Sequence, residues 1–308
     1  MKKIVFMGTP EIAVPSLKAL IESGYDIPLV ITQPDKPKGR GQSMAFSPVK
    51  ECALSYNLNV YQPEKIKNNQ EVIDKLKEIA PDFFAVVAYG KILPQEVLDI
   101  PNTAPINVHF SLLPKYRGPA PVNWAIMNGE EETGVDTMLM DAGMDTGDIL
   151  LTEKTPILYK NAGELANELA IKGANLLVKT INEFSSITPK KQDDLLSTKA
   201  PMMDKEMGQI NWSLDGVIIE RMIRAFTPWP ASYTSLQGRK LKIYKSQVVE
   251  SDNKKPSGEI IEVNKDSFTV QTGNKALKIL ELQFEGKKRM DSKSFLAGAK
   301  IVAGEKLV

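Results

Sequence analysis

Short apolar runs alternate with amphipathic stretches of helical spacing along the first half of the chain. Residues 3–8, 27–32, 58–61, 83–88 and 106–110 read as apolar strands. Between them, Thr9 as N-cap and Pro10 as first helical residue open a helix to Ser23-Gly24, and residues 69–80 form another. Strands that alternate with helices predict an α/β fold built on an open, mostly parallel sheet wrapped on both faces. Residues 135–140 and 149–157 add a closing strand pair. Asn161 and Glu164 form a capping box before a long helix, in which Leu165, Leu169, Leu176, Ile181 and Phe184 follow helical spacing.

The pattern then changes. Polar residues crowd 188–205 with no apolar period, which reads as an interdomain linker. Beyond Gly208 a helix over 214–225 precedes five short strands at 231–236, 240–249, 258–263, 267–272 and 276–283. Such strands, with turn residues between them, predict a small OB-like β-barrel. The organisation expected is therefore a catalytic domain at 1–187, a linker at 188–207 and a second domain at 208–308.

Composition narrows the class. At 308 residues, 42% apolar and 25% charged, the chain fits a two-domain globular protein. No run is long enough for a membrane span and no signal-peptide pattern opens the chain, so no membrane is expected. The single Cys52 excludes an internal disulfide and points to a reducing cytoplasm; its helix-like surroundings make it a small core residue. One cysteine and one histidine leave nothing for a structural zinc. The net charge of +1 hides an asymmetry, since from Gly208 onward 17 Lys and Arg face 11 Asp and Glu. That basic half suits an acidic partner, with nucleic acid first, although a solubilising surface has the same signature.

Chemistry gathers around His109. In Asn107-Val108-His109 a strand would send the amide and the imidazole to the same face, with Val108 packed behind. A lone strand histidine is compatible with a packing role; the Asn-x-His pairing and the carboxylate-rich loop Asp141-Ala-Gly-Met-Asp145-Thr-Gly-Asp148 favour proton transfer. That loop lacks the alternating carboxylates of a calcium site, so no metal is expected. Gly8-Thr-Pro-Glu11 lacks the later glycines of a dinucleotide fingerprint, and Glu11 would oppose a pyrophosphate, so no NAD is expected. Tyr89 and Gly90 end a central strand at the sheet edge where α/β folds hold ligands.

Met7-Gly-Thr-Pro-Glu11, Thr32-Gln-Pro-Asp-Lys-Pro-Lys-Gly-Arg-Gly41, residues 107–118 and 134–147, Ala200-Pro-Met-Met, Gly208-Gln-Ile-Asn-Trp212 and Arg224-Ala-Phe-Thr-Pro-Trp-Pro230 carry a further message. Taken together, over essentially the whole chain, they resemble the methionyl-tRNA formyltransferase family. The resemblance implies a Rossmann-like formyltransferase domain followed by an OB-like domain. It also implies formyl transfer from 10-formyltetrahydrofolate, a cosubstrate, to methionine on initiator methionyl-tRNA. Asn107, His109 and Asp145 would be the catalytic trio, with Asn107 and protonated His109 holding the developing oxyanion and Asp145 orienting His109. Ser111, Leu112, Leu113, Pro114, Tyr89, Gly90, Asp141 and Gly143 would meet the folate. Lys36, Lys38 and Arg40 would enter the tRNA acceptor stem, and Lys287, Lys288 and Arg289 would contact phosphates. A monomer is expected. Rivals are formyltransferases acting on an amino sugar or nucleotide amine, or a non-catalytic RNA-binding relative.

Overall fold

The computed structural model describes residues 1–38, 43–252 and 254–308. Two compact units divide the chain: one holds Met1–Pro121, Glu132–Pro156 and Ala166–Pro201, the other Val122–Glu131, Ile157–Leu165 and Met202–Val308. In chain order the first elements are β1 (Lys3–Gly8), α1 (Val14–Glu22), β2 (Asp26–Ile31), β3 (Lys36–Lys38), β4 (Ser43–Ala45), α2 (Pro48–Ser55) and β5 (Val60–Tyr61). They are followed by α3 (Gln70–Ile79), β6 (Phe83–Val87), α4 (Gln95–Leu98), β7 (Ala104–His109), α5 (Pro121–Met127), β8 (Glu132–Leu139), β9 (Ile149–Pro156) and α6 (Ala162–Glu183).

The main sheet of the first unit runs β5-β2-β1-β6-β7-β8-β9. Its strands are parallel from β5 to β7, then antiparallel through β8 and β9. The expected closing pair is therefore an antiparallel extension of a parallel sheet. Val5, Met7, Leu29, Ile31, Phe84 and Val86 pack with Val72, Ile73 and Leu76 of α3 in one core. Burying each such side chain contributes about 1.5–3 kcal/mol, which is why the apolar runs settle as central strands. The helix starts follow local chemistry: Asn69 accepts from the Val72 amide, and Asn161 and Glu164 accept from each other's backbone amides at 3.0 and 2.9 Å.

One helix start differs from the sequence expectation. Pro10 is extended and precedes a 3-10 turn at Glu11–Ala13, so α1 begins only at Val14. Thr9 caps nothing, because its hydroxyl donates to the Tyr89 carbonyl at 3.1 Å. A tertiary acceptor has taken the group that the local pattern assigned to a cap. The stretch expected to be a linker also differs over its first part. Lys190 pairs with Ile149, Arg117 exchanges backbone hydrogen bonds with Thr198 and Ala200, and Gln192 is buried in the first unit.

In the second unit α7 (Gly216–Ala225) is capped by Asp215, whose side chain accepts from the Val217 amide. The strands β10 (Ser232–Leu236), β11 (Arg239–Val249), β12 (Ile260–Val263), β13 (Phe268–Gln271) and β14 (Ala276–Phe284) form an antiparallel sheet ordered β10-β11-β14-β13-β12. Short β15 (Met290–Asp291) pairs with β14 and leads into α8 (Ser292–Leu296). Residues at the end of the chain hydrogen-bond both outer strands' surroundings: Val308 with Ser235, Glu305 with Ile260 and Leu307 with Gly258. The open edges are thereby covered by backbone pairing.

Candidate active site

The site forms where β7 ends. Asn107 lies opposite Met138 and His109 opposite Asp136 in the β7–β8 ladder, so both polar side chains leave the sheet on one face as the alternation required. The Asn107 amide is half-buried and, among the described residues, has no protein hydrogen-bond partner. Leu113, Met138 and Ile149 form a small apolar group on the same side.

His109 is 5% exposed. Its Nε2 lies 3.0 Å from the Tyr116 carbonyl. A carbonyl oxygen only accepts, so Nε2 carries a proton in either charge state of the ring. Nδ1 is then the nitrogen that gains or loses one, and it faces the Asp145 Oδ1 at 3.6 Å. Burial pushes the imidazole below its ordinary pKa, while Asp145 and the Tyr116 carbonyl oppose that shift. The neutral ring, with Nδ1 open as a base, is the form that burial favours.

Asp145 is held from two directions. The Gly118 amide donates to its Oδ2 at 2.8 Å, and Gln192 Nε2 donates to its carbonyl at 2.9 Å. Its backbone is left-handed, with φ at +55°. Gly118 itself allows close passage: a Cβ there would stand 2.7 Å from the Ala200 carbonyl oxygen. Gly147 is equally constrained, since a Cβ would fall 1.8 Å from the Leu139 oxygen.

The other expected site residues are distributed as follows. Ser111 is buried and donates to the Lys115 carbonyl, Leu112 lies against Gly134, and the cis peptide Leu113-Pro114 follows. The Leu113 amide donates to Asp136 Oδ2 at 2.7 Å. Tyr89 points its ring into the core, and its carbonyl accepts from Thr9 and Gln33, so it meets the sheet edge through backbone alone. Gly90, with φ at +79°, lies against the Gln33 side chain. Asp141 is exposed and accepts from the Gly143 amide and the Thr146 hydroxyl, which shapes the turn around Gly143. Lys36 is exposed on β3, where Lys38 also lies; Arg40 falls outside the described residues. Lys287 and Lys288 are exposed between β14 and β15, whereas Arg289 grips Glu281 and stacks over Tyr244.

Sequence reading missed the groups that hold His109 and Asp145, which are the Tyr116 carbonyl, the Gly118 amide and Gln192, and it missed the buried Asp136 opposite His109 on β8. Asp136 is 1% exposed, and burial pushes its carboxyl up to about 6 against hydrogen bonds from Thr152 (2.5 Å) and Leu113. A charged residue inside an apolar strand was the one signal available. Among the described residues no group of three His, Cys, Asp or Glu is placed to hold a metal.

Sheet and site together define a class, the formyl transferases. Residues 1–181 match the family described as Formyl transferase, and residues 202–300 match Formyl transferase, C-terminal domain. The methionyl-tRNA formyltransferase of Clostridium novyi (strain NT) is 52% identical over 302 residues, 97% of each chain. The chain belongs to the methionyl-tRNA formyltransferase family. Among solved structures, the methionyl-tRNA formyltransferase from Clostridium thermocellum shares the fold at a TM-score of 0.56 and 19% identity, covering 83% of this chain and 96% of that one. HypX from Aquifex aeolicus in complex with tetrahydrofolic acid shares it at 0.63 and 16% identity, over 98% of this chain and 50% of its own.

Proposed function

We propose that this enzyme transfers the formyl group of 10-formyltetrahydrofolate to the amino group of methionine on initiator tRNA. The observation that carries the reading is full-length similarity at 52% identity, on a chain whose Asn107, His109 and Asp145 stand ready at one sheet edge. The half-buried, unpartnered Asn107 amide beside the apolar Leu113–Met138–Ile149 group suits a flat ligand carrying a carbonyl.

The methionyl amine attacks the formyl carbon, and the carbonyl electrons move onto oxygen. Asn107 donates to that oxygen; loss of one such donor costs about 10²–10³ in rate. His109 Nδ1 accepts the amine's proton, and Asp145 stabilises the resulting imidazolium. As the bond to the folate nitrogen breaks, that proton passes to the leaving nitrogen. This assigns His109 to proton transfer rather than to the oxyanion, because burial favours the neutral ring, whose one proton, on Nε2, already serves Tyr116. The formyl group moves directly, and no enzyme residue is modified.

Lys36, Lys38 and Arg40 are assigned to the acceptor stem, and Lys287 and Lys288 to phosphates. Arg289 already serves Glu281. The reading includes a monomer acting in the cytoplasm, supported by one free buried cysteine; no described helix is long and apolar enough to cross a membrane. Incubation with 10-formyltetrahydrofolate and charged initiator tRNA should yield formylmethionyl-tRNA. Charged elongator tRNA and a sugar amine serve as parallel acceptors. Product only on the sugar amine, or on no acceptor, overturns the reading.

A further inference from the structure

Gln192 sits where three segments of the first unit converge. Its Nε2 donates to the Asp145 carbonyl at 2.9 Å and to the Gly147 carbonyl at 2.7 Å. Its Oε1 accepts from Arg117 Nε and Nη2 at 3.0 and 2.9 Å, and Nη2 also reaches Asp194 at 2.8 Å. The side chain is 7% exposed. Every hydrogen-bonding direction of the amide is therefore used, in a place where water is largely excluded.

The chemistry of the arrangement is selective. Two carbonyl oxygens pointing at one atom need a donor with two hydrogens, which a primary amide supplies and a hydroxyl or carboxylate does not. Arg117 draws charge onto Oε1 and so strengthens both donations from Nε2. Those donations hold the left-handed backbone of Asp145, a conformation that persists only where neighbours enforce it. The same backbone aims Oδ1 at His109.

We propose that Gln192 is a positioning residue for proton transfer: it locks the turn carrying Asp145 so that its carboxylate faces His109 Nδ1. This rests on the functional reading above, but the titration that tests it does not. His109 is the only histidine in the chain, so its ring resonances report one titration without overlap. Besides Asp145, the carboxylate opposite the ring is Asp136 on β8, which the test leaves in place.

Gln192→Met keeps the side-chain length and removes all four hydrogen bonds. Its titration is followed by NMR on the full chain without substrate, beside Asp145→Asn and the double variant. With the supporting charge displaced, the His109 titration moves to lower pH, in the same direction as in Asp145→Asn. Adding Gln192→Met to Asp145→Asn moves it little further. In the formylation assay kcat falls by about a hundredfold, the scale of a 1 Å misplacement, with KM for the formyl donor nearly unchanged. Gln192→Glu keeps the Arg117 pairing but sets oxygen against two carbonyls; it loses kcat similarly, and supplies the result if Gln192→Met does not fold. A folded Gln192→Met with wild-type titration, or a Gln192→Glu with wild-type kcat, overturns the proposal. Absence of formylation in the wild type, with the shift present, overturns only the functional reading.

Discussion

His109 and Asp136 face each other across the β7–β8 ladder, and burial acts on them in opposite directions on the pH scale. Both shifts favour the uncharged form. For Asp136 the folded value, about 6, lies above the ordinary 3.8, so the fold binds this proton more tightly than the unfolded chain does. Its contribution to stability is complete below the ordinary carboxylate range and is lost as pH rises through about 6. Asp136→Asn removes the titration while still accepting from the Leu113 amide and donating to Thr152. Relative to wild type, the variant should gain about 2 kcal/mol of unfolding free energy between pH 4 and pH 8. Denaturant unfolding at several pH values measures this, and parallel stability curves for the two proteins would refute it. The buried carboxylate thus costs stability near neutrality, while its bond to the Leu113 amide is one that an asparagine would also supply.

The β8–β9 turn, residues 141–148, is shaped by close backbone approach as well as by the side chains of Asp141 and Gln192. Gly147 lies so close to Leu139 that any Cβ forces the turn outward, carrying Asp145 with it. Gly147→Ala should cost about 1–3 kcal/mol of stability, the range for overpacking, and about a hundredfold in kcat. Unfolding and steady-state kinetics on the same preparation decide it; wild-type kcat would show that the turn tolerates displacement. The sequence revealed some of this architecture and concealed the rest for physical reasons. The parallel strands were legible because their apolar runs are continuous, and Asn107 with His109 because strand alternation is local. The carboxylate-rich loop was visible in the residues, but the choice of Asp145 within it came from the resemblance. Gln192 was unreadable, since its partners lie 45 to 75 residues away and its own segment shows no periodicity. The hairpin of β3 and β4 was missed because its prolines and lysines read as loop. Thr9 misled because a distant carbonyl outcompeted the local cap.

At the scale of the whole molecule, the basic balance of the C-terminal part is partly cancelled where it arises. Arg224, Arg289, Lys254, Lys255 and Lys275 pair with Glu220, Glu281, Asp252, Glu259 and Glu250. The exposed pairs among them add little stability, but all leave fewer cations for a polyanion. Lys287 and Lys288 are exposed and, among the described residues, have no carboxylate partner, so they are among the cations free to displace counterions from RNA. Each phosphate neutralised contributes about 0.7–0.9 to the slope of log affinity against log salt. Replacing both lysines by alanine should therefore lower that slope for initiator tRNA by about 1.5 and weaken binding most at low salt, leaving KM for the formyl donor unchanged. Binding titrations across a salt series test this. An unaltered slope would mean that the β14–β15 turn does not touch phosphate, and the tRNA backbone would then have to be met by other unpaired lysines of the basic part.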